Sequence, residues 1–269
     1  MNKLVYSLLL TALLLSFPGC SAVRSDSPVS VTFFRCGKAD AAVIQSDGAV
    51  ILIDTGLKKN ADKLADALRE LGVEKISVLI LSHFDKDHVG GAAEILASFP
   101  VETVYHSNYP KDSDEYASYL NTLQNAGIEP VTVTDTVNLD LGGIGLAING
   151  PVQEVYKNDP SNNSSLIVSV THGTTSLLFT GDAQNARLSE YLAQYERPAG
   201  TVILKVPYHG HWQKTLPDFL AAVSPDIAVI PCSKSEPEEE ELSRTVSLLE
   251  TLGAQVLLTS DGDVTLTIN

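Results

Sequence analysis

The densest set of residues able to do chemistry is LSHFDKDHVGG, residues 81–91. His83, Asp85, Asp87 and His88 are four residues of metal-ligating type close together. Extended backbone would send His83, Asp85 and Asp87 to one side. Imidazole and carboxylate together can hold a divalent cation, which acidifies bound water enough to give a nucleophile near neutral pH. Gly90-Gly91 permits a sharp turn and close backbone approach to a metal or substrate.

Three further segments end an apolar run in the same kind of side chain. ILIDTG (51–56) carries Asp54, LLFTGDA (177–183) carries Asp182, and LKVPYHGH (204–211) carries His209 and His211. Strand ends on a shared edge are where active sites collect. His106, in VYHSNYP, reads as a surface loop residue, and His172 as a hairpin-turn residue. Trp212 either lines a pocket mouth or packs on the surface. There is no Walker-type glycine loop, and Ser82 lacks a nucleophile-elbow context.

The elements that must position these residues follow from periodicity. Strands are expected at Val29–Phe34, Ala41–Gln45, Val50–Ile53, Val202–Val206, Ile227–Ile230, Gln255–Thr259 and Val264–Ile268. Ile76–Leu81 is a continuous apolar run, as in a strand buried on both faces. Ser165–Val170 and Thr174–Phe179 read as a hairpin. Helices are expected at Asn60–Leu71, Gly91–Ser98, Ser113–Ala126, Asn185–Tyr195, Leu216–Val223 and Glu238–Leu252. In the first of these, Asn60 is the N-cap and Ala61, Leu64, Ala65, Leu68 and Leu71 form the apolar stripe. Loops such as 105–116 and 152–161 would line the pocket. A strand meander followed by alternating strands and helices suits two sheets packed face to face with helices outside.

The chain has 269 residues, 44% hydrophobic and 19% charged, enough for one large domain or two small ones. This composition excludes a disordered chain, a collagen-like repeat and a coiled coil. A formal net charge of -15 argues against tight sequence-independent binding of duplex nucleic acid. Residues 1–20, MNKLVYSLLLTALLLSFPGC, read as an export signal. Gly19-Cys20 resembles a bacterial lipobox, which would place a lipid on Cys20 and anchor the protein at the outer face of the cell membrane. The other reading is an ordinary signal cleaved near Ala22. Residues 21–28 are a polar linker, and nothing divides residues 29–269. Cys36 and Cys232 read as small packing residues rather than reactive thiols.

The order Asp-x-Gly, His-x-Asp-x-Asp-His, Gly-Asp, His-Gly resembles the metallo-β-lactamase superfamily over nearly all of residues 29–269. The branch it most resembles is the hydrolase domain of bacterial competence proteins that form DNA-uptake channels, with its stand-alone relatives. SHFDKDHVGG (82–91) matches that branch in full, Asn162, Ser165 and Leu166 match its Asn-x-x-Ser-Leu, and residues 180–182 match its Thr-Gly-Asp. RCGKADA (35–41) looks like a degraded copy of its Asp-x-Gly-x-Gly-Asp-Ala.

The resemblance implies a four-layer αββα sandwich of the α/β (α+β) class. It implies one or two divalent ions, zinc or manganese. His83 and Asp85 would hold one, with Asn162 near the place of a third His; Asp87 and His88 would hold the other. Asp182 would bridge them, His209 would be the later His ligand, and Asp54 would orient ligands from behind. Asp87 would also accept a proton from the attacking water. Oxygen at Asp85 and Asn162, where many relatives have nitrogen, favours manganese or magnesium over zinc more than is usual.

Two positions depart from the pattern. Tyr208 stands where relatives carry a first His, leaving His209 or His211 to substitute, and Glu236 stands where a later His would be. The expected function is an exported metal-dependent hydrolase of phosphodiesters or other phosphate esters. The alternative is a binding or scaffold protein with a degenerate metal site; a β-lactamase or lactonase comes behind both. The expected partner is a small-molecule or phosphodiester substrate.

Overall fold

The computed structural model describes residues 28–233 and 239–268. The segment read above as an export signal, with Cys20, most of the linker and Glu236 lie outside the described residues. Alternating apolar side chains build two seven-stranded sheets. The first contains β1 (Val29–Phe33), β2 (Ala42–Gln45), β3 (Val50–Ile53), β4 (Ile76–Leu81), β5 (Val101–His106), β6 (Val131–Thr132) and β14 (Val264–Ile268). Its order is β14-β1-β2-β3-β4-β5-β6. The second contains β7 (Thr136–Asp140), β8 (Gly145–Asn149), β9 (Ile167–His172), β10 (Thr175–Phe179), β11 (Thr201–Lys205), β12 (Ile227–Ile230) and β13 (Gln255–Leu258). Its order is β13-β12-β11-β10-β9-β8-β7.

Each strand divides its side chains between two cores. Val31, Phe33, Ile44, Ile51, Ile53, Val78 and Ile80 of the first sheet face Val168, Val170, Leu177, Phe179 and Ile203 of the second. The Phe33 and Phe179 rings stack at 5.5 Å between centroids across this layer. Leu52, Leu79 and Leu81 point the other way, under α1 (Ala61–Glu70), α3 (Ala92–Ser98) and α4 (Asp114–Ala126). Leu178, Val202 and Leu204 lie under α6 (Asn185–Leu192), α7 (Leu216–Val223) and α8 (Glu239–Thr251). The result is an αββα sandwich. Each fully buried Leu or Ile contributes about 2 kcal/mol to holding the layers.

The remaining helices are short: α2 (Lys86–Val89) and α5 (Pro160–Asn163). The predicted stripe of α1 buries Ala61, Leu64, Ala65 and Leu68, while Leu71 is exposed because the helix has already ended at Glu70. Asn60 makes no side-chain cap; its Nδ2 donates instead to Cys36 O at 3.1 Å. His106 is not a loop residue. It ends β5, is buried, and bonds Tyr119 Oη at 2.9 Å and Thr132 Oγ1 at 2.8 Å. Burial holds its pKa down at about 4. His172 is buried at the end of β9, its Nδ1 3.3 Å from Gly143 O. β7 and β8 form an antiparallel pair in a stretch where no element is expected from the sequence.

Strands β3, β4 and β5 run parallel, as do β10 through β13. Their C-terminal ends deliver Asp54, Ser82-His83, Asp182 and Lys205 to one edge of the sandwich.

Candidate metal centre

Asp54 follows β3 with φ 56, a left-handed conformation that is strained for a non-glycine residue. Its carboxylate accepts from Ser82 N and Ser82 Oγ, both at 2.7 Å, and lies 2.8 Å from His88 Nδ1. That bond sets the His88 ring so that Nε2 faces inward, 3.2 Å from Asp182 Oδ1. Asp54 thus lies behind His88, and with Asp40 and His88 it also makes a group of closely spaced ligand-type atoms.

Asp182 enters from the β10 end through Thr180-Gly181, its N–H donating to Ser165 Oγ at 3.1 Å. Gly181 has φ +50, and a Cβ there would lie 2.8 Å from Ser82 Oγ, so the two loops meet closely at this point. His209 enters from a turn after β11 in which Tyr208, His209 and Gly210 all have positive φ. His209 Nε2 lies 3.3 Å from Asp182 Oδ2 and 3.5 Å from Asp87 Oδ2. One ligand atom each from Asp87, His88, Asp182 and His209 lies within 4.8 Å of the others, the spacing a metal ion needs.

The segment that carries the first ligands is not extended. Helix α2 begins at Lys86, so Asp87 and His88 turn into the cluster while Asp85, its N-cap residue, points elsewhere. Asp85 accepts from Lys111 Nζ at 2.6 Å and from Ser161 Oγ, and is not one of the four. His83 is buried, its Nδ1 3.1 Å from Ser82 Oγ and its ring 4.1 Å from that of His88. The residue of α5 that reaches Asp85 is Ser161, not Asn162, which is only half-buried. The ring of Tyr208 packs 4.7 Å from that of His211, and His211 Nδ1 lies 3.2 Å from Glu241, so of the three residues in that turn His209 alone joins the cluster. Gly90 and Gly91 approach backbone rather than a ligand: Cβ atoms there would lie 2.7 Å from Gly56 O and 2.4 Å from Thr55 O. Trp212 is half-buried beneath Arg244, whose guanidinium lies 3.6 Å from the ring centre.

Two members of the site are not among the ligands expected from the sequence, although Asp40 is the Asp of the Asp-Ala that ends the RCGKADA resemblance. Asp40, in RCGKADA, is buried with one oxygen paired to Lys205 Nζ and the other 3.4 Å from His209 Nδ1. Lys205, the last residue of β11, is also buried; it donates to Gly181 O at 2.8 Å and lies 3.8 Å from Asp182. A lysine inside a run expected to be buried was the available signal, because a buried ammonium requires a carboxylate partner.

Asp40, Asp54, Asp87 and Asp182 therefore surround three imidazoles and one ammonium. Burial opposes charge on His88, but Asp182, Asp54 and Asp40 outweigh it and raise its pKa well above the usual imidazole value. Burial is likewise outweighed at His209, which Asp182 and Asp40 raise to about 9. His83, held down by burial and then by His88, sits at about 4. Asp182 stays well below the ordinary carboxylate range because His209 and His88 overcome its burial. Without metal, protons on His88 and His209 supply the missing positive charge. His83 Nε2 is buried without a hydrogen-bond partner, while His88 Nε2, His209 Nε2 and the Asp182 carboxylate face one another at 3.2 and 3.3 Å as ion pairs rather than well-formed hydrogen bonds, an arrangement that a shared cation would satisfy. The donor set fits a divalent metal.

Residues 35–234 match the family model described as the metallo-beta-lactamase superfamily. The chain belongs to this superfamily. Among its relatives is Recombination protein 2 of Haemophilus influenzae, 31% identical over 208 residues, which make up 75% of this chain and 24% of that protein. Competence protein ComA of Neisseria gonorrhoeae is 24% identical over 207 residues, 76% of this chain and 27% of that protein. The chain thus spans about a quarter of the length of these curated relatives. The superfamily-fold protein YhfI of Bacillus subtilis superposes with a TM-score of 0.61 at 11% identity, covering 89% of this chain and 99% of YhfI. These relatives carry the fold and place the chain near the competence proteins, the branch that the motifs resemble.

Proposed function

We propose that this protein is an exported metal-dependent hydrolase of phosphodiesters or other phosphate esters, anchored by a lipid on Cys20. The observation that carries the reading is the cluster of Asp87, His88, Asp182 and His209, with its buried ligand atoms lacking other partners. A bound divalent cation would supply Lewis acidity and would acidify a water molecule there. The chain's own residues do the rest. Asp182 is the shared carboxylate, and Asp54 fixes the tautomer of His88. Lys205 and Asp40 hold the floor of the site as a buried pair. Asp87 is the most accessible ligand, with its side chain 24% exposed against 0% for His88, 4% for Asp182 and 2% for His209. Substrate reaches the cluster from that side, and Asp87 is the base placed to accept the proton of the attacking water.

Two carboxylates and two imidazoles suit zinc or manganese, and either cation can polarise a phosphate oxygen. The relatives named above are a recombination protein and a competence protein; the net charge of -15 directs this chain toward a small phosphate ester. The test is hydrolysis of bis(p-nitrophenyl) phosphate by the manganese- or zinc-loaded chain, with Asp182→Asn as control. Turnover lost in the variant supports the reading. Turnover of a β-lactam or lactone without phosphodiester cleavage would overturn it. A loaded chain that cleaves none of these favours the alternative of a binding protein, to which Tyr208 and the engaged Asp85 already point.

A further inference from the structure

His83 and Asp85 form the first half of the ligand segment and lie outside the four-residue cluster; the superfamily resemblance assigns them, with Asp182, to a second cation. His83 Nε2 and Asp182 Oδ1 are buried and have no hydrogen-bond partner. Asp85 is different. Lys111, from the loop between β5 and α4, donates to it at 2.6 Å, and Ser161 of α5 donates to the same oxygen. Two separate elements thus converge on one carboxylate, and one of them brings a full positive charge. The Lys111 and Asp85 side chains are 36% and 28% exposed, so the pair sits on the open side of the site, beside Asp87.

We propose that Lys111 takes the place of a second divalent cation. The chain then holds one tight metal ion, in the Asp87–His88–Asp182–His209 cluster, with a tethered ammonium on Asp85 facing the substrate. This rests on the cation-binding reading above. Both donors hold one oxygen of Asp85, so a metal ion arriving at its other oxygen comes up against the ammonium, which repels it. A half-exposed ion pair is modest in strength, so the expected penalty on a second cation is about tenfold in affinity. In exchange, a fixed positive charge faces an anionic substrate without a second metal being recruited.

The test is titration of the full chain with manganese alone, reading free Mn²⁺ by electron paramagnetic resonance and bound metal by elemental analysis. The wild type is expected to take up one tight equivalent. Lys111→Ala is expected to take up a second about tenfold more tightly than the wild type does, and Lys111→Arg is expected to behave as the wild type. Adding Asp85→Ala to Lys111→Ala should abolish the gain. Two equally tight equivalents in the wild type, or an unchanged second equivalent in Lys111→Ala, would overturn the inference and leave the proposed function standing. No bound manganese in the wild type would overturn both.

Discussion

Raising the pH of the metal-free protein removes the proton that holds His209 among its carboxylates. The His209 imidazole titrates at about 9 in the fold against 6.5 when free: burial disfavours its charge, and Asp182 and Asp40 overcome that cost. Because the folded value lies above the unfolded one, the stabilisation is complete below pH 6.5 and is lost as pH rises through about 9. The interval between those values corresponds to about 3 kcal/mol. His88, also raised, adds to the loss in the same sense. His83 and His106 act in the opposite sense. Both are held neutral at about 4, so their contribution is present above pH 6.5 and is lost as pH falls toward 4. Metal-free stability should therefore peak near pH 6.5. The assay is urea unfolding in the presence of a chelator at about pH 6, 7.5 and 9. With a typical urea slope, the His209 loss, partly offset near pH 6 by His83 and His106, moves the midpoint down by roughly 1 M across that range. His209→Gln should flatten the alkaline limb, and manganese should abolish it by replacing the protons. A wild-type midpoint that stays level or rises between about pH 6 and 9 would refute the reasoning.

Asp54→Ala leaves Ser82 N, Ser82 Oγ and His88 Nδ1 without their acceptor; it should cost ~3 kcal/mol of stability and weaken manganese binding ten- to a hundredfold, measured by thermal unfolding and metal titration. Gly181→Ala drives a Cβ to 2.8 Å from Ser82 Oγ at φ +50; a loss of ~1–3 kcal/mol in urea unfolding is expected, together with weaker metal binding as Asp182 shifts. Arg187→Met strands Ser165 O and Asn149 O, which the buried guanidinium bonds at 3.0 and 2.7 Å; its urea midpoint should fall by the equivalent of ~3 kcal/mol.

The layers were legible in the sequence because their cause is local. Leu52, Leu79 and Leu178 alternate with inward-facing neighbours, and the stripe of α1 repeats at helical spacing. His83, Asp87, His88, Asp182 and His209 were legible because each ends a strand or lies in the turn that follows one. What escaped depends on partners distant in the chain. Lys111 meets Asp85 across 26 positions, and Lys205 meets Asp40 across a still longer separation between the two sheets. β7 alternates polar and apolar from Thr136 to Asp140 with its polar side exposed, so this pair was legible in the sequence and missed. His106 escaped because the Ser-Asn-Tyr-Pro that follows reads as loop, which hid the strand ending at His106 itself.

Metal content tests the central claim most directly. The purified chain and Asp182→Ala would be exposed to manganese or zinc, desalted and assayed by elemental analysis, with circular dichroism confirming that both are folded. At least one equivalent on the wild type and almost none on Asp182→Ala is the expected result, because Asp182 lies against both His88 and His209. A folded wild-type chain that retains no metal, or a variant that retains as much as the wild type, would contradict the account.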